Sequence, residues 1–293
     1  MRVVHTFADA RAAEGVDQAL VPTMGYLHEG HLSLIHQAKA ETPVVCVSIF
    51  VNPTQFDEAS DLASYPQDLE RDLALCESAG ADTVLVPSVD EVYPTPLDPI
   101  DPGPAAEGME GAHRPGHFEG VATVVHRFLT ALEPHHAYFG RKDAQQLAVI
   151  RTMAHEHDLD VEIIPGSTER EEDGLALSSR NVRLGDDRVR AAGISEALFA
   201  AADAAEAGER SAAGLQAMVE LEMQVRGLQP EYVTLADAVW MKPVGEVHRE
   251  AVLATAVPVG DVRLIDNIVL SIEGSGVVVD RGIRLDAPSI LYS

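Results

Sequence analysis

The chain has 293 residues, 46% of them hydrophobic, and a formal net charge of −26 at pH 7, so it can fill one large domain or two. That charge excludes a nucleic-acid surface, which needs a basic footprint, and it obliges any site for an anionic substrate to carry its own local cations. No run of about 18 apolar residues is present to cross a membrane, and the start at Met1 lacks the apolar stretch of a secretory signal, so a cytoplasmic protein without a membrane partner is expected.

The first strand is expected over 19–21. It runs through Val21-Pro22-Thr23-Met24-Gly25-Tyr26-Leu27 into a helix that opens on His28-Glu29-Gly30-His31. Residues three apart share a helix face, so His28 and His31 can address one ligand. The first turn of a helix also has unpaired N–H groups and a positive dipole end, a setting for phosphate. Gly30 allows close approach of a nucleotide to the backbone. Zinc is the competing use of this histidine spacing. No cysteine lies nearby and the third ligand would have to be Glu29 or a distant residue, so no directly ligated metal is expected.

Further strands are expected over 44–51, 83–86, 137–139 and 161–164. They alternate with helices marked by Leu69, Leu73 and Cys76 and by Val121, Val124, Val125, Phe128, Leu129 and Leu132. Nearly all-apolar strands alternating with helices indicate a parallel sheet buried on both faces, hence a Rossmann-like doubly wound α/β domain. Cys46 and Cys76 read as reduced thiols in the core. The stretch 93–116 holds six prolines without periodicity and ends at His113-Arg114-Pro115-Gly116-His117-Phe118. It reads as a wall of the site with a mobile upstream part. Beyond Leu184, helices are expected near 186–208 and 211–226, then strands over 232–235, 251–257 and 262–270. This is a smaller α+β domain, with the boundary placed so that 1–168 and 169–293 are the two units.

Polar residues cluster where strands of the first domain end. Asn52 and Gln55 follow the second strand, and Gly140-Arg141-Lys142-Asp143 with Gln145 and Gln146 follow a later one. Ser178-Ser179-Arg180-Asn181 lies just past the last. Open α/β sheets bind ligands at that edge. Only three lysines occur, so Lys142 inside such a motif stands out.

Taken together, these segments in this order, with Tyr65-Pro66, Asp173-Gly174-Leu175-Ala176 and Leu264-Ile265-Asp266-Asn267, resemble the pantothenate synthetase family. His-x-Gly-His alone points only to the wider superfamily of nucleotidylyltransferases and class I aminoacyl-tRNA synthetases. The resemblance implies a homodimeric ligase that joins (R)-pantoate to β-alanine through pantoyl adenylate, with ATP and Mg2+, releasing AMP and pyrophosphate. It places Met24, Gly25, Tyr26, Leu27, His28, Glu29, Gly30 and His31 on ATP, with His31 as proton donor. Gly140, Arg141, Lys142, Asp143, Glu169, Leu177, Ser178, Ser179 and Arg180 join them there. Gln55, Gln146 and Asn52 would meet pantoate or β-alanine, and Asp72 would touch magnesium through water. Catalytic charge stabilisation would fall to the available cations, His28, His31, Lys142 and Arg180. The chain departs from the family at Arg141 (often Glu), Leu177 (often Met), Tyr26 (usually Ala) and Glu169 (usually apolar). A simple nucleotidylyltransferase would need more Arg or Lys for its acceptor than this chain offers. A silent ATP-binding module would have lost one of the four catalytic candidates. Residues 57–64, polar and small, are expected to gate the pantoate side.

Overall fold

The structure, a computed structural model, describes residues 1–56, 59–95 and 98–292. Six strands form one all-parallel sheet: β1 (Arg2–Val4), β2 (Gln18–Thr23), β3 (Val44–Ile49), β4 (Thr83–Leu85), β5 (His136–Gly140) and β6 (Glu162–Gly166), in the order β1-β4-β3-β2-β5-β6. The chain winds outward from β2 one way through β3 and β4, then the other way through β5 and β6. The strand order therefore reverses between β2 and β5, where doubly wound sheets leave a crevice for ligand.

Alternation along the strands fills two cores. Leu20, Cys46, Leu85, Ala137 and Phe139 face the helices His117–Leu132 and Ala144–Glu156. Their neighbours Ala19, Val21, Val45, Val47, Val84 and Tyr138 face Glu29–Glu41 and Leu69–Ser78. Period-two placement on a sheet covered on both sides explains the nearly uninterrupted apolar strands. Cys46 and Cys76 are both free and buried, and burial pushes each thiol up to about 12.

After β7 (Glu169–Arg170) the chain builds a second, antiparallel sheet from β8 (Tyr232–Asp237), β9 (Ala251–Val259), β10 (Val262–Glu273) and β11 (Gly276–Asp280), in the order β11-β10-β9-β8. The helices Gly193–Glu206 and Ala212–Val225 cover it, packing alanines, Leu198 and Leu215 against Leu253, Ile268 and Leu270. A last short strand, β12 (Ile283–Arg284), pairs in parallel with β7.

The main differences from expectation are local. The helix expected over 186–208 is split, with Arg188–Ala191 separate from Gly193–Glu206. β1, β7, β11 and β12 were not anticipated, being two to five residues long or outside the apolar pattern. The Pro-rich stretch is more ordered than its composition implies: Ala105 and Met109 are buried, and Met109–His113 is helical. The Gln145 side chain holds it, accepting from the Glu110 N–H and donating to the Ala105 carbonyl at 3.0 Å. Pro96 and Leu97 lie outside the described residues. Of the expected gate, residues 57 and 58 also lie outside them, while Ala59–Ser64 is a short helix.

Candidate active site

A cleft of about 250 Å³ opens at the reversal between β2 and β5. Its histidine-bearing side begins with the turn after β2. Gly25 and Tyr26 both have positive φ, 81° and 50°. A Cβ at Gly25 would stand 2.9 Å from the Asp72 carboxylate, so only glycine fits there. Asp72 is buried and accepts from the N–H groups of Tyr26 and Leu27, each at 2.7 Å. Its two oxygens are thus spent on fixing the turn, and Asp72 is absent from the cleft wall. The expected contact to magnesium does not fit this geometry. Asp72 is a scaffold for the histidine loop.

His28 is the N-cap of the helix Glu29–Glu41 and its Nδ1 accepts from the Gly30 N–H at 3.2 Å. His31 Nδ1 accepts in turn from the His28 N–H at 3.2 Å. This reciprocal box uses imidazoles where a Ser and a Glu usually serve. Because each Nδ1 is an acceptor, the ring proton of each neutral histidine sits on Nε2. The ring centroids lie 4.1 Å apart. Burial lowers both pKa values, helped for His28 by the charges of His31, Lys142 and Arg71. His31 is brought down to about 4, with Asp143 opposing the fall and Lys142 adding to it.

Two expectations change here. The first-turn N–H groups of Gly30 and His31 are already satisfied, by the His28 ring and the His28 carbonyl, so they are not the phosphate donors. The histidines are also neutral in the free protein. What they offer a ligand is Nε2–H, not a positive charge.

Cations come from the other loops. Lys142 sits after β5, in the cleft wall, 3.6 Å from Asp143. Its loop is held from the second sheet: Asn267 donates its side-chain amide to the carbonyls of Arg141 and Lys142, at 3.0 and 2.8 Å. The neighbouring Asp266 pairs in bidentate fashion with Arg170, at 2.7 and 2.9 Å, both residues fully buried. The Leu264–Asn267 motif thus acts as a bracket for two loops of the cleft. Arg180 completes the cationic set from the Ser178-Ser179 turn, where the Ser178 hydroxyl caps its N–H.

Of the residues expected on ATP, Met24, His28, Gly30, His31, Gly140, Lys142, Asp143, Glu169, Leu177, Ser178, Ser179 and Arg180 line the cleft. Gly25, Tyr26, Leu27, Glu29 and Arg141 do not. Leu27 is a core residue, Glu29 binds the C-terminal segment, and Arg141 pairs with Asp280 at 2.8 Å. Glu169 keeps its side chain beside Ser33; burial pushes its carboxyl up, with the Ser33 hydroxyl opposing and the Glu29 charge adding to the rise.

The opposite side has a different make-up. Val121, Val124, Val125 and Phe128, on one face of the helix His117–Leu132, form an apolar wall, while Phe56 packs edge-on against Tyr65, whose hydroxyl accepts from Ser179 at 3.3 Å. That helix approaches the turn Pro53–Gln55 so closely that a Cβ on Gly120 would meet the Thr54 carbonyl at 2.4 Å. Gln146 and Gln55 supply amides. Gln55 is oriented by donation to the Met24 sulfur at 3.1 Å and acceptance from Asn52 at 3.1 Å. Asn52 reaches the wall, but its own amide is used by Gln55, the Gly120 carbonyl, Thr54 and Tyr93. It orients Gln55 and is not placed as a direct contact. Arg114 and His117, which the sequence marked only as part of a wall, also line the cleft, and both donate to the Gln55 carbonyl, at 3.2 and 2.9 Å. Their signal was the His113–Phe118 cluster closing a Pro-rich stretch.

A family model described as Pantoate-beta-alanine ligase matches residues 2–269. A pantothenate synthetase of Chloroflexus aggregans is 49% identical over 276 residues, covering 92% of this chain and all of the relative. The crystal structure of a Thermus thermophilus pantothenate synthetase superposes with a TM-score of 0.86 at 42% identity, covering 91% of this chain and 98% of the other. A Francisella tularensis pantoate-β-alanine ligase, complexed with β,γ-ATP and β-alanine, superposes with a TM-score of 0.75 at 33% identity, covering 91% of this chain and 97% of that one. With His28, His31, Lys142 and Arg180 lining one cleft together with Gln55, Gln146 and an apolar helix wall at the sheet's reversal, and with these matches along nearly its whole length, the chain belongs to the pantoate-β-alanine ligase family and is a ligase of pantothenate biosynthesis.

Proposed function

We propose that the cleft condenses (R)-pantoate with β-alanine in two steps through pantoyl adenylate. The pantoate carboxylate attacks the α-phosphorus of ATP and pyrophosphate leaves. The β-alanine amine then attacks the acyl carbon, loses a proton, and expels AMP. The observation that carries this reading is the division of one cleft into two chemistries. Lys142, Arg180 and the Nε2–H groups of His28 and His31 face one side, where charge grows on phosphate oxygens. Gln55 and Gln146 line the cleft beside the apolar helix wall, with Arg114 and His117 bonded to the Gln55 carbonyl, and their neutral amides would bind a hydroxylated acid without blunting its carboxylate as a nucleophile. His31 is the proton donor toward the leaving phosphates in this reading.

Magnesium enters as part of the nucleotide substrate. Among the described residues no group of three or more acidic, His or Cys side chains is placed to hold a metal. The ion would keep phosphate oxygens and water as ligands. Residues 1–168 would supply the histidine loop, Lys142 and the pantoate side, and residues 169–293 the Ser178–Arg180 loop. The working form would be a cytoplasmic homodimer.

The test is product analysis with each substrate omitted in turn. ATP and pantoate without β-alanine should yield pyrophosphate and a bound pantoyl adenylate detectable by mass spectrometry. AMP should be released only on adding β-alanine. AMP release that ignores pantoate would overturn the proposal.

A further inference from the structure

The family match stops at residue 269, yet the chain continues and returns to the nucleotide side of the cleft. After β11 it turns at Gly282, whose φ is +80° and where a Cβ would stand 2.2 Å from the Thr168 carbonyl. From the end of β11 onward it makes contact with each loop of that side in succession. Asp280 takes the Arg141 guanidinium at 2.8 Å, beside Lys142. The N–H groups of Ile283 and Leu285 donate to the carbonyls of Thr168 and Arg170, both at 2.8 Å, flanking Glu169. Ser289 and the Ile290 N–H both donate to the Glu29 carboxylate, at 2.7 Å each, at the start of the histidine helix. Arg71 bridges the carbonyls of Leu27 and Ile290, at 2.9 and 2.8 Å. Tyr292 donates to Glu171 at 2.9 Å, and the same carboxylate oxygen accepts from Asn181, directly after Arg180, at 2.8 Å. Leu291 is buried beneath this segment and anchors it.

We infer that residues 280–292 act as a fixed strap that sets the ATP-binding geometry of this chain, with Asp280, Ser289 and Tyr292 as positioning residues. The strap reaches all four nucleotide loops, at 24–31, 140–143, 168–170 and 178–181. None of the strap's contacts described above involves Gln55, Gln146 or the apolar helix wall. It also accounts for one departure from the family: Arg141 serves the strap, standing outside the cleft. The inference rests on the assignment of ATP to this side of the cleft.

The decisive experiment compares the full chain with one lacking residues 286–293, measuring affinity for magnesium-ATP by calorimetry and KM for pantoate in the full reaction. Loss of the strap should weaken ATP about tenfold or more, the scale of several hydrogen bonds that hold charged groups, and change the pantoate KM by less than about twofold. Point variants carry the same test if the shortened chain does not fold. Ser289→Ala with Tyr292→Phe should weaken ATP about threefold to tenfold. Arg141→Glu should weaken it about threefold, the scale of a half-exposed pair, and Arg141→Glu with Asp280→Arg should restore it. Unchanged ATP affinity in these variants overturns the inference, as does an equal loss on both substrates, which would mark the segment as general support. A full chain that binds ATP but forms no pantothenate would overturn the proposed reaction and leave the strap to be judged on ATP affinity. A full chain that does not bind ATP overturns both.

Discussion

The two faces of the cleft are built in opposite ways. On the face proposed for the nucleotide almost every loop is fixed by a polar side chain from outside it: Asp72 on the turn at 26–27 and Asn267 on the carbonyls of 141–142, both from far along the chain, and Glu171 on Asn181 from close by. On the face proposed for pantoate the wall is one helix laid close against a turn, with Val121, Val124, Val125 and Phe128 as its surface. Hydrogen bonds define directions, which a triphosphate with a developing charge requires. Close packing defines volume, which suits a compact branched acid. The first face should therefore fail sharply when one polar partner is lost, and the second gradually as side chains shrink.

The largest effect is expected at the bracket. Asp266→Ala leaves Arg170 charged and buried, so stability should fall by about 3–5 kcal/mol. A urea titration checks it; a shift below about 1 kcal/mol would mean that the guanidinium finds water or a new partner. Next comes Lys142→Ala, which should lower adenylate formation about 100-fold with the fold intact, as for loss of one charge-stabilising donor. Near-normal turnover would remove Lys142 from the charge-bearing set. On the other face, Gln146→Ala and Gln55→Ala should each raise the pantoate KM up to about tenfold while leaving ATP affinity nearly unchanged, the range for a neutral hydrogen bond. Collapse of ATP binding instead would reverse the assignment of the two faces.

The smallest effect is in protons. His31 titrates at about 4 in the free protein, and phosphate oxygens set beside it favour its charged form. ATP binding should therefore take up protons, the more so as pH falls from 7 toward 5, with the effect fading near 4, where the free protein is already protonated. Calorimetry in buffers of different ionisation enthalpy measures this uptake, and heats independent of the buffer would rule it out. The sign for folding follows from the same shift. Between about pH 6.5 and 4 the unfolded chain binds a proton at position 31 that the folded chain refuses, and position 28 acts in the same direction, so the free protein should lose stability as pH falls through that window.

The contrast between the faces also explains what could be read in the sequence. Strands such as β3 declared themselves through uninterrupted apolar residues, and the histidine loop through a motif ten residues long. Most residues lining the histidine-bearing side of the cleft fall in short consecutive segments, which a local motif can display. Their fasteners were not, because Asp72 lies 45 residues from the N–H of Leu27 and Asn267 lies 125 from the carbonyl of Lys142, and no local pattern reports such pairings. The charge state of the histidines was misjudged for a related reason, since burial decides it and burial is a property of the whole fold. Arg141 and Glu29 were placed on ATP by their neighbours in the motif; their partners, Asp280 and Ser289, come from a segment whose role the sequence left unassigned. On the pantoate face only the amides and the His113–Phe118 cluster were legible, because an apolar helix face looks the same whether it lines a core or a cleft.

His28 and His31 carry a practical lesson for anyone redesigning this enzyme. Each ring holds a helix start through one nitrogen and presents the other to the cleft. A replacement must therefore satisfy two selections at once. Alanine at position 28 forfeits a cap as well as a donor, so its lost turnover would mix frayed backbone with missing chemistry. Asparagine is the cleaner probe, since its short amide can still cap the helix but stops short of where Nε2 reaches. The activity gap between the two variants would separate the architectural share of the residue from its chemical share.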